Sequence, residues 1–286
     1  MITLHQLQKD KILPVSLPDM SSLDAITRQL PDGYYSTFRT FDGCTRVIGL
    51  TVHLRRLLGV DASSLRRNLL SLLGPHHPEG ETRVRVILTN TGDLYIAIEP
   101  LKLLARGIYE NGVHVETTSL YRNDPRVKST SFIGVSTEER KHIAQVGIFE
   151  ALLVKNERIL EGMTSNFFYI LRPPERTSGL RERSEPQSKG VQGEILCTAR
   201  NNILLGVTRT MVIRAARGRG VEVRYRPLKL DQLPAVKEAF ITSSSRGIVP
   251  VVQIDDVKVG RGIVGQTTKL LMKAYEEYVL KHAEKI

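Results

Sequence analysis

The sequence predicts a two-unit protein of mixed class, α/β and α+β: a small N-terminal α+β unit followed by a larger C-terminal α/β unit. Three observations predict it. The chain has 286 residues, long enough for two domains or one large one and for a core without covalent staples. Strand signals with helical segments between them fill the first 120 residues, and strands alternate with helices after them. Asn123-Asp124-Pro125 then marks a turn-forming break. The expected division is residues 1–120, a connection over 121–128, and residues 129–286.

In the first unit, Gly33 to Phe41 (GYYSTFRTF) reads as a strand because aromatic residues and Thr dominate it. Asp42-Gly43 is a turn signal, and TRVIGL is expected to return as its hairpin partner. VHLRRLLG reads as a short helix ending near Gly59. Asp61 is placed to cap the helix DASSLRRNLLSLL, whose Leu65, Leu69, Leu72 and Leu73 share a face before Gly74-Pro75 stops it. Thr82 to Thr89 alternates as a half-buried strand does, with Arg83 and Arg85 on one face and Val84 and Val86 on the other. Asn90 to Asp93 turns the chain into the strand LYIAI, and NGVHVETTSLYR is a strand leading out of the unit.

In the second unit, Ser136-x-x-Glu139 has the spacing of a capping box for the helix TEERKHIAQVG. IFEALLVKN reads as a strand, Glu157-Arg158 as its turn and SNFFYILR as the next strand. Residues 172–194 are polar, charged and rich in Pro and Gly, so an exposed loop is expected there. A helix from about Thr208 to Gly218, extended segments in VEVRYRPL, EAFITSS and GIVPVVQIDD, and a helix over TTKLLMKAYEEYVLKHAEK complete the unit. Leu271, Ala274, Tyr278 and Leu280 to Ala283 are expected on the buried side of that last helix.

Composition excludes several classes. Hydrophobic residues make up 41% and charged residues 25%, which argues against global disorder. Lys and Arg number 41 against 30 acidic residues, a formal charge of +11 that favours anions in general. The basic residues are scattered with no aromatic-interleaved strip, so no nucleic-acid partner is expected. Cys44 and Cys197 make neither a zinc ribbon nor a disulfide scaffold, and the histidines, His76-His77 included, have no metal-binding spacing. No metal is expected. MITLHQLQKDKILP lacks the apolar core of a signal peptide, and no apolar run is long enough to span a bilayer. A cytoplasmic protein without a membrane partner is therefore expected. Neither GxGxxG nor GxxxxGK[ST] occurs.

Three ordered segments carry chemistry. YSTFRTFDGCTRVIGLTVHLRRL holds Tyr35, Arg39, His53, Arg56 and Leu57; RNDPRVKSTSFIG holds Lys128; ERILEGMTSNFFYI holds Glu161, Ser165 and Asn166. Together they resemble the class IV aminotransferases, the fold-type IV enzymes that use pyridoxal 5'-phosphate, over roughly residues 30–282. That family includes branched-chain and D-amino-acid aminotransferases and aminodeoxychorismate lyase. The resemblance implies a two-domain fold with the cofactor in the cleft, a homodimer, and transfer of an amino group between an amino acid and a 2-oxo acid.

By resemblance, Lys128 is the catalytic lysine that bonds the cofactor aldehyde and shuttles the α-proton, which an arginine cannot do at neutral pH. Arg56 grips the cofactor phosphate with its donor fork. Glu161 faces the pyridine nitrogen and keeps it protonated, while Ser165 and Asn166 shape the turn beside it. LLGVTRTMVI places Val207 and Thr208 at the phosphate, where a helix N-terminus suits an anion. FITSSSRGIVPV resembles a stretch normally written Thr-Gly-Thr-Ala-Ala-x-x-x-Pro, so Ser244 takes the phosphate-binding Thr position with Ser245 beside it.

The sequence also departs from its relatives. Ile133 stands where branched-chain enzymes have a Tyr; Asn90 stands where D-amino-acid enzymes have a carboxylate-binding Arg; STSFIGVST does not match the lyase. Tyr35, Arg39, Arg85 and Asn90 are the expected substrate contacts, with Arg83 and Arg122 as further carboxylate partners. The alternatives left open are an aminodeoxychorismate lyase-like enzyme and, in another class, a non-catalytic anion- or nucleic-acid-binding protein.

Overall fold

The computed structural model describes residues 1–8, 11–57, 59–74, 80–171 and 193–286. The loop expected over 172–194 falls, through residue 192, outside the described residues, as does His76-His77. One antiparallel sheet takes β1 (Thr3–Gln8), β2 (Lys11–Val15), β3 (Gly33–Arg39), β5 (Thr82–Thr89) and β6 (Leu94–Pro100) in the order β2-β1-β6-β5-β3, leaving β4 (Arg46–Ile48) aside. Alternation along these strands gives the sheet two unlike faces. Phe38, Val84, Val86, Ile96 and Ile98 pack on α2 (Leu50–Arg55) and α3 (Ala62–Leu73). Asp61 caps α3, its carboxylate accepting from Ser63 N and Ser64 N at 3.1 and 2.9 Å. Leu65, Leu69 and Leu73 are buried on the apolar side of α3, each worth roughly 1.5–3 kcal/mol, and Leu72 is only half-buried. The other face carries Tyr35, Thr37, Arg83 and Arg85 and meets α1 (Leu23–Gln29).

The second sheet has ten strands: β7 (Val113–Thr118), β8 (Glu150–Lys155), β9 (Arg158–Gly162), β10 (Asn166–Leu171), β11 (Ile195–Thr198), β12 (Glu222–Tyr225), β13 (Leu228–Lys229), β14 (Glu238–Ser243), β15 (Gly247–Ile254) and β16 (Val257–Lys258). The path β10-β14-β15-β7-β8-β9 returns to its start, because Glu161 of β9 pairs with Asn166 of β10. Six strands thereby close into a barrel. Val115, Leu152, Phe167, Tyr169, Ile241 and Val251 fill it. Phe168, Ile170, Phe240 and Ile248, on the outward side, pack under α7 (Val207–Gly218) and α8 (Gln266–His282). No capping side chain precedes α8; the buried Glu238 carboxylate accepts from Thr267 N and Thr268 N instead. α4 (Arg106–Asn111) packs on β15, α5 (Ser131–Val135) meets α1, and α6 (Thr137–Gln145) packs on β8.

Several expectations need correction. TRVIGL does not form a hairpin ladder with β3: a single bridge joins Phe41 to Arg46, β3 pairs with β5, and β4 pairs with β17 (Ala283–Lys285). The expected long last helix therefore stops at His282. Tyr275 is buried on it, Tyr278 is half-buried and Leu280 is 81% exposed. The Ser136 capping box does not form, because the Ser136 hydroxyl donates back to Phe132 O at 2.7 Å and joins α5 to α6. NGVHVETTSLYR supplies β7, which lies in the second sheet between β15 and β8.

The segment before α5 is clipped to the edge of the first sheet. Tyr35 N donates to Lys128 O (3.0 Å), Thr130 N to Gly33 O (2.9 Å), and Gly33 N to Thr130 Oγ1 (2.8 Å). Replacing Thr130 by Val leaves the buried Gly33 N–H without its acceptor. That change is expected to lower unfolding free energy by about 1–3 kcal/mol, read from urea melts of the two proteins.

Candidate active site

A cavity of about 680 Å³ opens between the two sheets. Lys128, Glu161, Arg56, Ser165, Asn166, Val207, Thr208, Ser244 and Ser245 all line it, drawn from segments far apart in sequence. So do Tyr35 and Arg85. The structure does not bring Arg39 or Asn90 to it. Arg39 lies at the end of β3 with its guanidinium 4.5 Å from the Phe41 ring, and Asn90 sits in the β5–β6 turn with its N–H on Asp32 O at 2.7 Å.

The backbone clip just described presents Lys128 to the cavity. Its Nζ lies 4.9 Å from the Tyr35 ring centroid and makes no hydrogen bond among the described residues. Burial, then the positive charges of Arg85, Arg56 and Arg122, hold the amine well below the ordinary lysine range. The shift favours the neutral amine, which is the form that acts as nucleophile and base.

Glu161 is fixed by the turn that closes the barrel. Gly162 N donates to Ser165 O (2.9 Å), and a Cβ on Gly162 would stand 2.2 Å from Ser165 Oγ, so a larger residue there would displace that hydroxyl. The buried carboxylate accepts from Arg122 Nε (3.1 Å) on one oxygen, and from Asn166 Nδ2 (3.2 Å) and Leu204 N (3.0 Å) on the other. Arg122 also donates to Met163 O and stacks 3.8 Å over Phe132. Burial outweighs these favourable contacts and raises the Glu161 carboxyl to about 7.

The opposite end of the cavity is built for an anion. The first intrahelical bond of α7 runs from Thr210 N to Gly206 O, so the N–H groups of Val207 and Thr208 precede it. Thr208 Oγ1 meets Ser244 Oγ at 3.4 Å. Arg56 donates to Leu205 O and has no ion pair among the described residues. The hydroxyls of Thr242 and Ser165, both on the cavity lining, are buried without a partner among the described residues. A phosphate donor set, a carboxylate for a ring nitrogen, an unbonded amine and two orphaned hydroxyls fit pyridoxal phosphate.

Arg85 is engaged on the cavity wall. It donates to Thr37 Oγ1 (3.1 Å), Leu23 O (2.9 Å) and Thr27 Oγ1 (2.8 Å), and pairs with Asp24 at 2.7 Å. Arg83 pairs with Glu99. The sequence does not mark two partners that hold these groups, Asp24 and the Leu204 N–H, or the orphaned Thr242 hydroxyl. No local pattern marks them, because they arrive from α1, β14 and the loop before α7.

The family profile described as "Amino-transferase class IV" matches residues 37–254. A putative branched-chain-amino-acid aminotransferase of Methanocaldococcus jannaschii is 26% identical, over 89% of this chain and 90% of that one. A D-alanine aminotransferase of Staphylococcus aureus is 25% identical, over 64% of this chain and 57% of that protein. Among solved structures, a putative branched-chain amino acid aminotransferase from Thermotoga maritima superposes with a TM-score of 0.74 at 22% identity, covering 98% and 96% of the two chains. A hypothetical aminotransferase from Mycobacterium tuberculosis, in its PLP-bound form, gives a TM-score of 0.74 at 19% identity, covering 98% and 99%.

The raised Glu161 carboxyl has a consequence for the cofactor-free protein. A group that binds its proton more tightly when folded stabilises most below its unfolded value of 4.5, and that contribution is lost as pH rises to about 7. Glu161→Gln is expected to remove this slope, worth at most about 3 kcal/mol. Urea melts of both proteins at pH 5 and pH 8 measure it.

Proposed function

The chain belongs to the class IV aminotransferases, pyridoxal-phosphate-dependent transaminases that pass an amino group between an amino acid and a 2-oxo acid, and on that premise we propose how its residues divide the work. The observation that carries the proposal is the convergence of Lys128, Glu161 and the Arg56–α7 anion site on one cavity.

Pyridoxal phosphate, when bound, supplies an aldehyde for amines and a ring that disperses the charge left by a departing α-proton. Arg56, the Val207 and Thr208 N–H groups and Ser244 hold its phosphate, with Ser245 flanking them. Glu161 faces the ring nitrogen, and Asn166 and Arg122 aim that carboxylate. Thr242 and Ser165 have hydroxyls free to meet the remaining polar atoms. Lys128 holds the cofactor until a substrate amine takes its place. Once displaced, Lys128 Nζ would be the group placed to take up and hold the proton from the substrate Cα. Burial and the three arginines lower the basicity of Nζ and so favour its neutral form. Tyr35, 4.9 Å from Nζ, forms the wall against which the amine swings. Arg85 keeps that ring in place from 4.6 Å and is bound to Asp24, so its part is to support the wall of the substrate pocket.

The same reading makes the five-stranded sheet and the barrel sheet, which begins with β7 at Val113 rather than after residue 120, the two sides of the cleft, with the connection 121–128 delivering the lysine. It also has the protein act as a cytoplasmic homodimer. Tyr34, Tyr121 and Val135, all exposed, line one groove outside the cleft and suit a protein contact.

Protein loaded with pyridoxal phosphate should absorb near about 400 nm, and borohydride should fix the pyridoxyl mass on the peptide containing Lys128. Lys128→Ala should abolish transamination, and colourless, unmodified wild-type protein would overturn the assignment. Arg56→Gln should weaken cofactor binding by at least about tenfold, read by fluorescence titration.

A further inference from the structure

The two ends of the proposed cofactor site hang on separate turns. Ser243 of β14 pairs with Gly247 of β15, leaving Ser244, Ser245 and Arg246 as a hairpin loop that carries the phosphate end. Gly247 has φ of +67°, as the residue closing such a loop requires. Glu161, at the ring-nitrogen end, stands just before the turn of residues 163–165 that joins β9 to β10. Strand pairing brings the two turns side by side, but the β10–β14 ladder stops at Asn166 and Thr242.

Arg246 joins them beyond the ladder. Its Nε donates to Ser243 Oγ (3.0 Å) at the base of its own loop. Its Nη2 reaches the other turn and donates to Glu150 Oε2 (2.8 Å) and to Thr164 Oγ1. Glu150, on β8, is buried, and its carboxylate also accepts from Thr164 N (2.7 Å) and from the Thr164 hydroxyl. A Cβ on Gly162 would stand 3.2 Å from Glu150 Cγ, so this side chain also packs against the backbone next to Glu161. On the outer side, Tyr109 donates its hydroxyl to Arg246 O (3.0 Å), and the guanidinium lies 5.2 Å from the Phe149 ring. A hydrogen-bonded ion pair of this kind is hard to open, because opening it strands a buried charge. Glu150 neutralises Arg246, so the pair supplies geometry rather than charge. The pattern that this stretch resembles has Ala at the position of Arg246, so the pair is a feature of this chain and not of that pattern.

We infer that Arg246 and Glu150 are positioning residues: their ion pair fixes the Ser244 phosphate site relative to the Glu161 ring-nitrogen site, and so retains the cofactor in its amine form. The inference rests on the aminotransferase site proposed above. A ligand that spans two subsites gains from both only when their spacing matches its own, and a misplacement of ~1 Å can cost about a hundredfold. The spacing matters most in the amine form. Lys128 also holds the aldehyde form, whereas the amine form has only its phosphate and ring contacts.

The test titrates the cofactor-free full chain by calorimetry. Pyridoxamine phosphate spans both subsites, while inorganic phosphate and pyridoxamine each fill one. Arg246→Gln and Glu150→Gln/Arg246→Gln, the second of which leaves no buried carboxylate unpaired, should weaken pyridoxamine phosphate by at least about tenfold and keep each half-ligand within about threefold of wild type. Arg246→Lys, which can keep the ion pair, should recover part of the loss. Where Arg246→Gln alone does not fold, the double variant and Arg246→Lys carry the comparison. In cofactor-loaded protein, an amine donor followed by gel filtration should strip cofactor from the two Gln variants faster than from wild type, and without the donor all should retain it alike. The inference is overturned if the variants bind pyridoxamine phosphate as tightly as wild type does. It is also overturned if the half-ligands weaken as much as the whole, which would mark direct contact with phosphate or general loss of structure. Failure of wild type to take up the cofactor would instead overturn the underlying site.

Discussion

The pairing of Glu161 with Asn166 is where fold and chemistry meet. It joins β9 to β10 and so converts a curled sheet into a closed six-stranded barrel. A closed sheet has no free edge to fray, so the residues at the seam are held as firmly as those in the middle. The carboxylate proposed to face a ring nitrogen lies at that seam. Asn166 pairs through its backbone, donates its side-chain amide to Glu161, and donates again to Leu204 O at 2.7 Å. Barrel closure, carboxylate aim and the approach to α7 thus share one residue.

A second constraint is electrostatic. Gathering many arginines round one cavity is costly unless most are paired. Asp24 serves both Arg85 and Arg140, Glu99 serves Arg83, and Glu161 serves Arg122. Each pairing removes a charge from competition for ligand and stiffens a wall. Arg56 and Lys128, left without acids among the described residues, are the positive groups proposed to meet the cofactor. The surplus of +11 over the whole chain carries far less information than these local pairings.

Much of this was legible in the sequence where local rules apply. The Asp61 cap, the alternating Val84 and Val86, and the ordered Arg56, Lys128 and Glu161 segments are short-range patterns. The strand β9 was not legible, because ERILEG is short and turns at both ends. β17 was missed because a good helix former, AEK, is recruited as a strand by a partner more than two hundred positions away. Arg39 shares the alternation of Tyr35 and Thr37, but alternation fixes only a face and not how far along it the cavity reaches. Arg246 had no helical or strand period to reveal it; its role depends on a hairpin loop meeting Glu150 from another strand.

The return of β17 to β4 also bears on how the protein is made. Ala283 to Lys285 pair with Arg46 to Ile48, Glu284 accepts from Thr51 N at 3.2 Å, and Arg66 donates to Lys285 O. Thr51 lies in the first turn of α2, the helix whose C-cap is Arg56. During synthesis, the N-terminal sheet can assemble long before these residues leave the ribosome, but α2 cannot receive its last supports until they do. The helix that carries the proposed phosphate grip thus receives its last supports only after the barrel strands and α7 have been synthesised.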